Sequence, residues 1–223
     1  MKTDLILALD LDSYEEAKKW VNKLYPTVKI FKVGIQLFTS CGPKIIDFIN
    51  KKGGQVFLDL KFFDIPNTVA NAVKEAVRLN VKMITLHISG GQEMLRSAVK
   101  AASQEAAAIK KKRPLIIGVT VLTSKDTKLS GVLALAKIGI ESGLDGVVCS
   151  AREAAFLREN IKRVFLIVTP GIRPEGVSAN DQKRVATASQ ARKAGSNYIV
   201  VGRPILKAEN PLDMAKRLLK ELN

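Results

Sequence analysis

The sequence predicts an α/β fold, a closed (β/α)8 TIM barrel, on three observations. Short β-prone runs recur eight times, amphipathic helix-length stretches separate most of them, and no Pro- or Ser-rich linker or low-complexity tract divides the 223 residues. Strands joined by helical crossovers pair in parallel with right-handed connections, and eight such units in a chain of this length close into a barrel. An open doubly wound sheet is the alternative architecture. The chain is read as a single domain over residues 1–223.

The first strand, Leu5 to Leu9, ends on Asp10, and Ser13 to Leu24 follows with helical spacing of apolar residues. The second, Lys29 to Val33, carries Lys32. The third, Gln55 to Leu60, runs into charge at Asp59, Lys61 and Asp64, and Thr68 to Leu79 then has helical periodicity. The fourth, Met83 to His87, is followed by Ile88-Ser89-Gly90-Gly91, and the fifth, Leu115 to Val121, by Thr123-Ser124. The sixth, Gly146 to Cys149, ends on Ser150; the seventh, Val164 to Val168, on Thr169-Pro170-Gly171-Ile172-Arg173-Pro174; and the eighth, Tyr198 to Val201, on Gly202-Arg203-Pro204. Polar groups thus collect at strand ends, where a barrel of this kind builds its active site.

Composition narrows the partners. With 47% hydrophobic and 26% charged residues the chain reads as an ordinary globular protein. No apolar run approaches the roughly 20 residues that span a bilayer, and Met1-Lys2-Thr3-Asp4 does not read as a signal peptide, so a cytoplasmic location and no membrane partner are expected. Two cysteines and one histidine supply too few ligands for a disulfide framework or a zinc site. Cys149 reads as a buried hydrophobe, and His87 as a hydrogen-bonded structural residue at a strand end. A formal charge of +15 favours anionic partners. The densest basic run, Lys110-Lys111-Lys112-Arg113, precedes a strand and so reads as a solvated turn. No basic stretch is interleaved with aromatics as a stacking surface requires, which disfavours nucleic acid against phosphorylated metabolites.

In Phe57-Leu58-Asp59-Leu60-Lys61 strand alternation puts Phe57, Asp59 and Lys61 on one face. Ions withdrawn from water cost several kcal/mol each unless paired, so a charged cluster closing an apolar strand points to chemistry, with a rim ion pair as the bland alternative. After the last strand, Gly202 lets the backbone approach an anion and Arg203 can grip phosphate oxygens bidentately. The long turn from Thr169 through Gln182 reads as a lid that brings Arg173 and Gln182 onto a phosphate.

Taken together, Leu7-Ala8-Leu9-Asp10, Phe31-Lys32-Val33-Gly34, Phe57 to Thr68, Ser89-Gly90-Gly91, Val119 to Ser124, Asp145 to Ser150, Val168 to Pro174, Asp181-Gln182 and Val201 to Pro204 resemble the orotidine 5′-phosphate decarboxylase family along the whole chain. The D-x-K-x-x-D core by itself also resembles magnesium-dependent relatives, 3-keto-L-gulonate 6-phosphate decarboxylase and hexulose-6-phosphate synthase. Asp64-Ile65-Pro66-Asn67-Thr68 and the Pro170 to Pro174 turn favour the nucleotide enzyme. The resemblance implies decarboxylation of orotidine 5′-phosphate to UMP without metal or organic cofactor. It implies a catalytic tetrad of Lys32, Asp59, Lys61 and Asp64, with Lys61 as proton donor. Asp10 and Lys32 would hold ribose hydroxyls, Thr123 would sit near the pyrimidine, and Arg173, Gln182, Gly202 and Arg203 would surround the phosphate. It further implies a homodimer in which Asp64 and Thr68 enter the neighbouring subunit's site. The alternatives are a magnesium-dependent sugar-phosphate decarboxylase or aldolase of the same superfamily and a non-catalytic basic nucleic-acid-binding module.

Overall fold

In a computed structural model, which describes residues 2–121, 128–174 and 185–222, eight parallel strands close into one barrel in sequential order. β1 (Asp4–Ala8) and β2 (Ile30–Gly34) are linked by α1 (Tyr14–Leu24), and α2 (Ile35–Cys41) with α3 (Lys44–Lys51) leads to β3 (Gln55–Phe62). α4 (Pro66–Arg78), β4 (Met83–His87), a 3-10 turn (Ile88–Gly90), α5 (Gly91–Ala108) and β5 (Leu115–Val119) follow. The last part comprises α6 (Leu129–Glu141), β6 (Gly146–Val148), α7 (Ala151–Asn160), β7 (Leu166–Thr169), α8 (Ala188–Lys193), β8 (Tyr198–Val201), α9 (Arg203–Leu206) and α10 (Pro211–Glu221). Pairing of β8 with β1, from Asp4 opposite Tyr198 to Leu7 opposite Val201, completes the ring.

Alternation along the strands divides the apolar residues into two clusters. Ile6, Ala8, Ile30, Phe57, Met83, Ile117, Val168 and Val200 fill the barrel, whereas Leu5, Leu7, Phe31, Leu58, Ile84, Leu86 and Val201 face the helices. Helix starts follow local chemistry. The Ser13 side chain accepts from the Glu16 N–H at the head of α1, and Ser150 with Glu153 forms a capping box on α7. Pro66 occupies the first turn of α4, where its missing N–H costs nothing.

Differences from the sequence expectation lie at element ends. Val164, assigned to the seventh strand, is 95% exposed and precedes it; the strand starts at Leu166, whose N–H bonds the Asp145 carbonyl. The helix read as Thr68 to Leu79 begins two residues earlier at Pro66. The basic run lies at the N-terminal mouth, as expected, but Arg113 is more than a solvated cation. Its Nη2 is 2.6 Å from Asp145 Oδ1, and Asp145 Oδ2 accepts from Ile116 N at 2.7 Å, tying β5 to the start of β6. Among the described residues no helix is long and apolar enough to cross a membrane.

Candidate active site

The interior-facing residues of the barrel predict which side chains reach its C-terminal mouth, because a step of two along each strand keeps the same face. Two residues beyond Ala8, Ile30, Phe57, Met83, Val168 and Val200 stand Asp10, Lys32, Asp59, Thr85, Pro170 and Gly202. All but Thr85 line a cavity of about 220 Å³, together with Lys61, Gly171, Arg173 and Arg203. Val119, Val121, Val148, Val168 and Val200 give this cavity an apolar wall.

Its charges form a connected chain. Lys32 Nζ lies 2.9 Å from Asp10 Oδ1 and 3.6 Å from Asp59 Oδ2, and Lys61 Nζ lies 2.9 Å from the same Asp59 oxygen. Burial by itself would lower Lys32, but Asp59 and then Asp10 outweigh it and hold the ammonium above its usual range. Burial opposes ionisation of Asp59 as well. The Lys32 and Lys61 ammoniums overcome it, aided by hydrogen bonds from Lys61 and Thr85, and hold the carboxyl below the usual carboxylate range.

Strict alternation puts Asp59 and Lys61 on one face, but it does not describe the ladder beside them. The ladder between β3 and β4 pairs Leu58 with Ile84 and Phe62 with Leu86, so three residues of β3, Asp59 to Lys61, oppose Thr85 alone. Within this bulge Lys61 adopts φ of 52°, the left-handed region that side-chain-bearing residues rarely occupy. Its N–H donates to Thr85 Oγ1 at 2.9 Å, and that hydroxyl donates to Asp59 Oδ1 at 2.9 Å.

At the opposite wall Arg173 is 7% exposed. Its N–H donates to the Ala186 carbonyl at 2.9 Å, and Ile172 bridges Ala186 in parallel pairing. Arg173 lines the cavity wall with its backbone bonded to Ala186; the rest of the expected lid, residues 175–182, lies outside the described residues. Arg203 opens α9 directly after Gly202. On the other side a Cβ at Gly34 would stand 2.9 Å from Lys32 Nζ, so a side chain there would displace the ammonium.

The structure thus brings together Asp10, Lys32, Asp59, Lys61, Arg173, Gly202 and Arg203. It does not bring Asp64 and Thr68 to this cavity. Both are exposed on the rim, and Asp64 Oδ1 accepts from Ile65 N at 2.7 Å. Thr123 and Gln182 lie outside the described residues. His87 packs edge-to-face on Phe63, with ring centroids 5.8 Å apart. Sequence reasoning passed over Thr85 and Gly34. Thr85 left one signal, a single hydroxyl in the otherwise apolar run Met83-Ile84-Thr85-Leu86. Among the described residues no three His, Cys, Asp or Glu side chains gather as a metal-ligand set.

Fold and site together define a (β/α)8 barrel protein with an ion-paired lysine cluster and two arginines around one mouth. The family model described as orotidine 5′-phosphate decarboxylase / HUMPS family matches residues 3–218. The orotidine 5′-phosphate decarboxylase of Syntrophomonas wolfei is 46% identical, covering 98% of this chain and 97% of its own. That of Syntrophotalea carbinolica is 45% identical, over 98% and 94%. The crystal structure of orotidine 5′-phosphate decarboxylase from Lactobacillus acidophilus superimposes with a TM-score of 0.88 at 38% identity, covering 99% of each chain. The chain belongs to the orotidine 5′-phosphate decarboxylase / HUMPS family.

Proposed function

We propose that this protein is a carboxy-lyase that converts orotidine 5′-phosphate to UMP and CO2, the closing step of UMP synthesis, in the cytoplasm. The observation that carries this reading is Lys61, whose ammonium is held 2.9 Å from Asp59 inside a cavity that also contains Arg173 and Arg203. Breaking the bond between C6 and the carboxylate leaves an electron pair in an sp² orbital orthogonal to the ring π system. Delocalisation cannot spread that charge, so a fixed cation must stabilise it where it forms. At about 4 Å and an effective dielectric of about 20, two unit charges interact by about 4 kcal/mol, and a lysine already held in place avoids reorganisation. Lys61 then delivers its proton to C6, CO2 departs, and solvent reprotonates the amine. The Lys32 and Lys61 ammoniums supply the charge stabilisation, so this route uses neither a metal nor an organic cofactor.

Asp59 holds the Lys32 ammonium charged and, through its contacts with both, aims Lys32 and Lys61. Asp10 and Lys32 are suited to the ribose hydroxyls, and Arg173, Gly202 and Arg203 to the phosphate, with Gln182 completing the phosphate shell and Thr123 beside the pyrimidine. Phosphate contacts far from the reacting carbon lower the barrier as well as the Michaelis constant when they drive enclosure of the substrate.

Two copies of the chain form the working unit in this reading, Asp64 and Thr68 of each entering the other's site. Support comes from the rim: Phe63 and Ile65, which flank Asp64, are 61% and 66% exposed. Large apolar side chains left bare beside a carboxylate suit an apolar partner surface, and a second copy presents the same patch.

The deciding experiment follows the absorbance of orotidine 5′-phosphate with purified, chelator-treated protein, beside parallel reactions containing magnesium and sugar phosphates. Turnover of the nucleotide without added metal is expected. No turnover, or a strict magnesium requirement, overturns the reading.

A further inference from the structure

We infer that Thr85 is a positioning residue for the decarboxylation, a buried hydroxyl that fixes both the Asp59 carboxylate and the Lys61 backbone in the geometry that aims the Lys61 ammonium. The inference rests on the proposed function. Three observations carry it. Thr85 is the only residue of β4 opposing the bulged segment of β3, and its side chain is fully buried. The bulge removes the ladder partner of the Lys61 N–H, and the Thr85 oxygen replaces it at 2.9 Å. The same hydroxyl donates its only hydrogen to Asp59 Oδ1 at 2.9 Å. Because a hydroxyl has a single hydrogen, the Lys61 N–H occupying one lone pair leaves that hydrogen directed at the carboxylate.

The consequence is an Asp59 carboxylate with its two oxygens in separate duties. Oδ1 is held by Thr85, while Oδ2 faces Lys61 at 2.9 Å and Lys32 at 3.6 Å. Rotation of the carboxyl would cost the Thr85 hydrogen bond and disturb both ammoniums. The same contact offsets the unfavourable φ of 52° at Lys61, since a partly buried N–H without an acceptor would add to the strain. Thr85 does not line the cavity, so it has no direct hold on a substrate. The charged groups around Asp59 are Lys32 from β2 and Lys61 from β3, with Asp10 after β1, Arg173 after β7 and Arg203 after β8 in the same mouth; His87 stands two residues beyond Thr85 on β4.

Thr85→Val keeps the volume and removes the hydroxyl. Expected is a loss in kcat of about 10- to 100-fold with the Michaelis constant and UMP affinity close to wild type. The acid limb of the kcat profile should also move to higher pH, because a carboxylate deprived of a hydrogen-bond donor is protonated more easily. Thr85→Ser should restore most of kcat and return the acid limb. If the valine variant does not fold, as judged by circular dichroism melting, Thr85→Ala provides the same readouts. Wild-type kcat with an unmoved acid limb in the hydroxyl-free variant overturns the inference. So does a serine variant as impaired as the valine one, which would assign the effect to packing of the methyl group. Inactivity of the wild-type protein toward orotidine 5′-phosphate would instead sink the proposed function, so the two failures are distinct.

Discussion

Lys61 concentrates the conflict between stability and chemistry at a single residue. It is held in the left-handed region at φ of 52°, where a Cβ costs about 1–2 kcal/mol. Lys61→Ala and Lys61→Gly both remove the ammonium, and both should lower kcat by at least about a thousandfold. Their stabilities should differ in an unusual order. In an ordinary strand glycine is about 0.5–1 kcal/mol less stable than alanine, whereas here the glycine variant should match or exceed the alanine variant by up to about 1 kcal/mol. Urea unfolding of the two measures this; the ordinary order would mean that the backbone relaxes once the lysine is gone. Asp59 permits a second test. Its carboxyl is depressed in the folded protein, so the stability it contributes is complete above the unfolded carboxyl's pKa of ~3.9 and is lost as pH falls through the lower folded value. The difference in unfolding free energy between wild type and Asp59→Asn should stay level from neutral pH to about pH 4 and shrink only below that. A difference that begins to shrink near pH 6 would contradict the depressed ionisation.

Among the elements, β2 and β3 set the lysines, and the last residue of β2 shows how tightly. Gly34 stands beside Lys32, and an added Cβ would meet the ammonium nitrogen at 2.9 Å. With φ of −90° the glycine backbone suits any residue, so the only obstacle to a side chain is Lys32 itself. Gly34→Ala should therefore melt near wild type yet lose kcat/KM by about 10- to 100-fold, the cost of displacing a catalytic group by a fraction of an ångström to an ångström. Unaltered kinetics would mean that Lys32 tolerates the shift. Much of this architecture was legible in advance. Eight apolar runs with polar ends announce the barrel, and period-two alternation places Asp10, Lys32 and Asp59 at one mouth. The β3 bulge was not legible, because alternation presumes an unbroken ladder and the interruption depends on what β4 places opposite. For the same reason Thr85 escaped notice: its importance lies in the two partners it joins across strands, and neither is its neighbour in sequence. Arg173 is legible as a phosphate candidate, but its backbone hydrogen bond to Ala186 joins residues thirteen positions apart, which no local pattern announces.

At the scale of the whole molecule, the cavity of one chain lacks Asp64, the fourth member of the proposed charged tetrad. Asp59 and Lys61 face inward, while Asp64, only three residues on, is exposed on the rim between bare Phe63 and Ile65. α4 begins at Pro66, and Thr68 on its first turn is exposed too. If two copies pair through this patch, each site draws Lys61 from one chain and Asp64 from the other, and the defects of two variants become separable. A Lys61→Ala chain still offers a sound Asp64, and an Asp64→Asn chain a sound Lys61. In a mixed dimer one site holds both variant residues and the other holds neither. Two nearly inactive preparations, mixed under conditions that allow subunit exchange, should therefore recover activity in roughly a quarter of all sites at random pairing. Ile65→Asp, which places a charge in the apolar patch, should abolish the recovery and shift the protein to monomer in sedimentation experiments. Activity that never rises above the sum of the two variants, while light scattering shows dimers exchanging, would place Asp64 outside the neighbouring site.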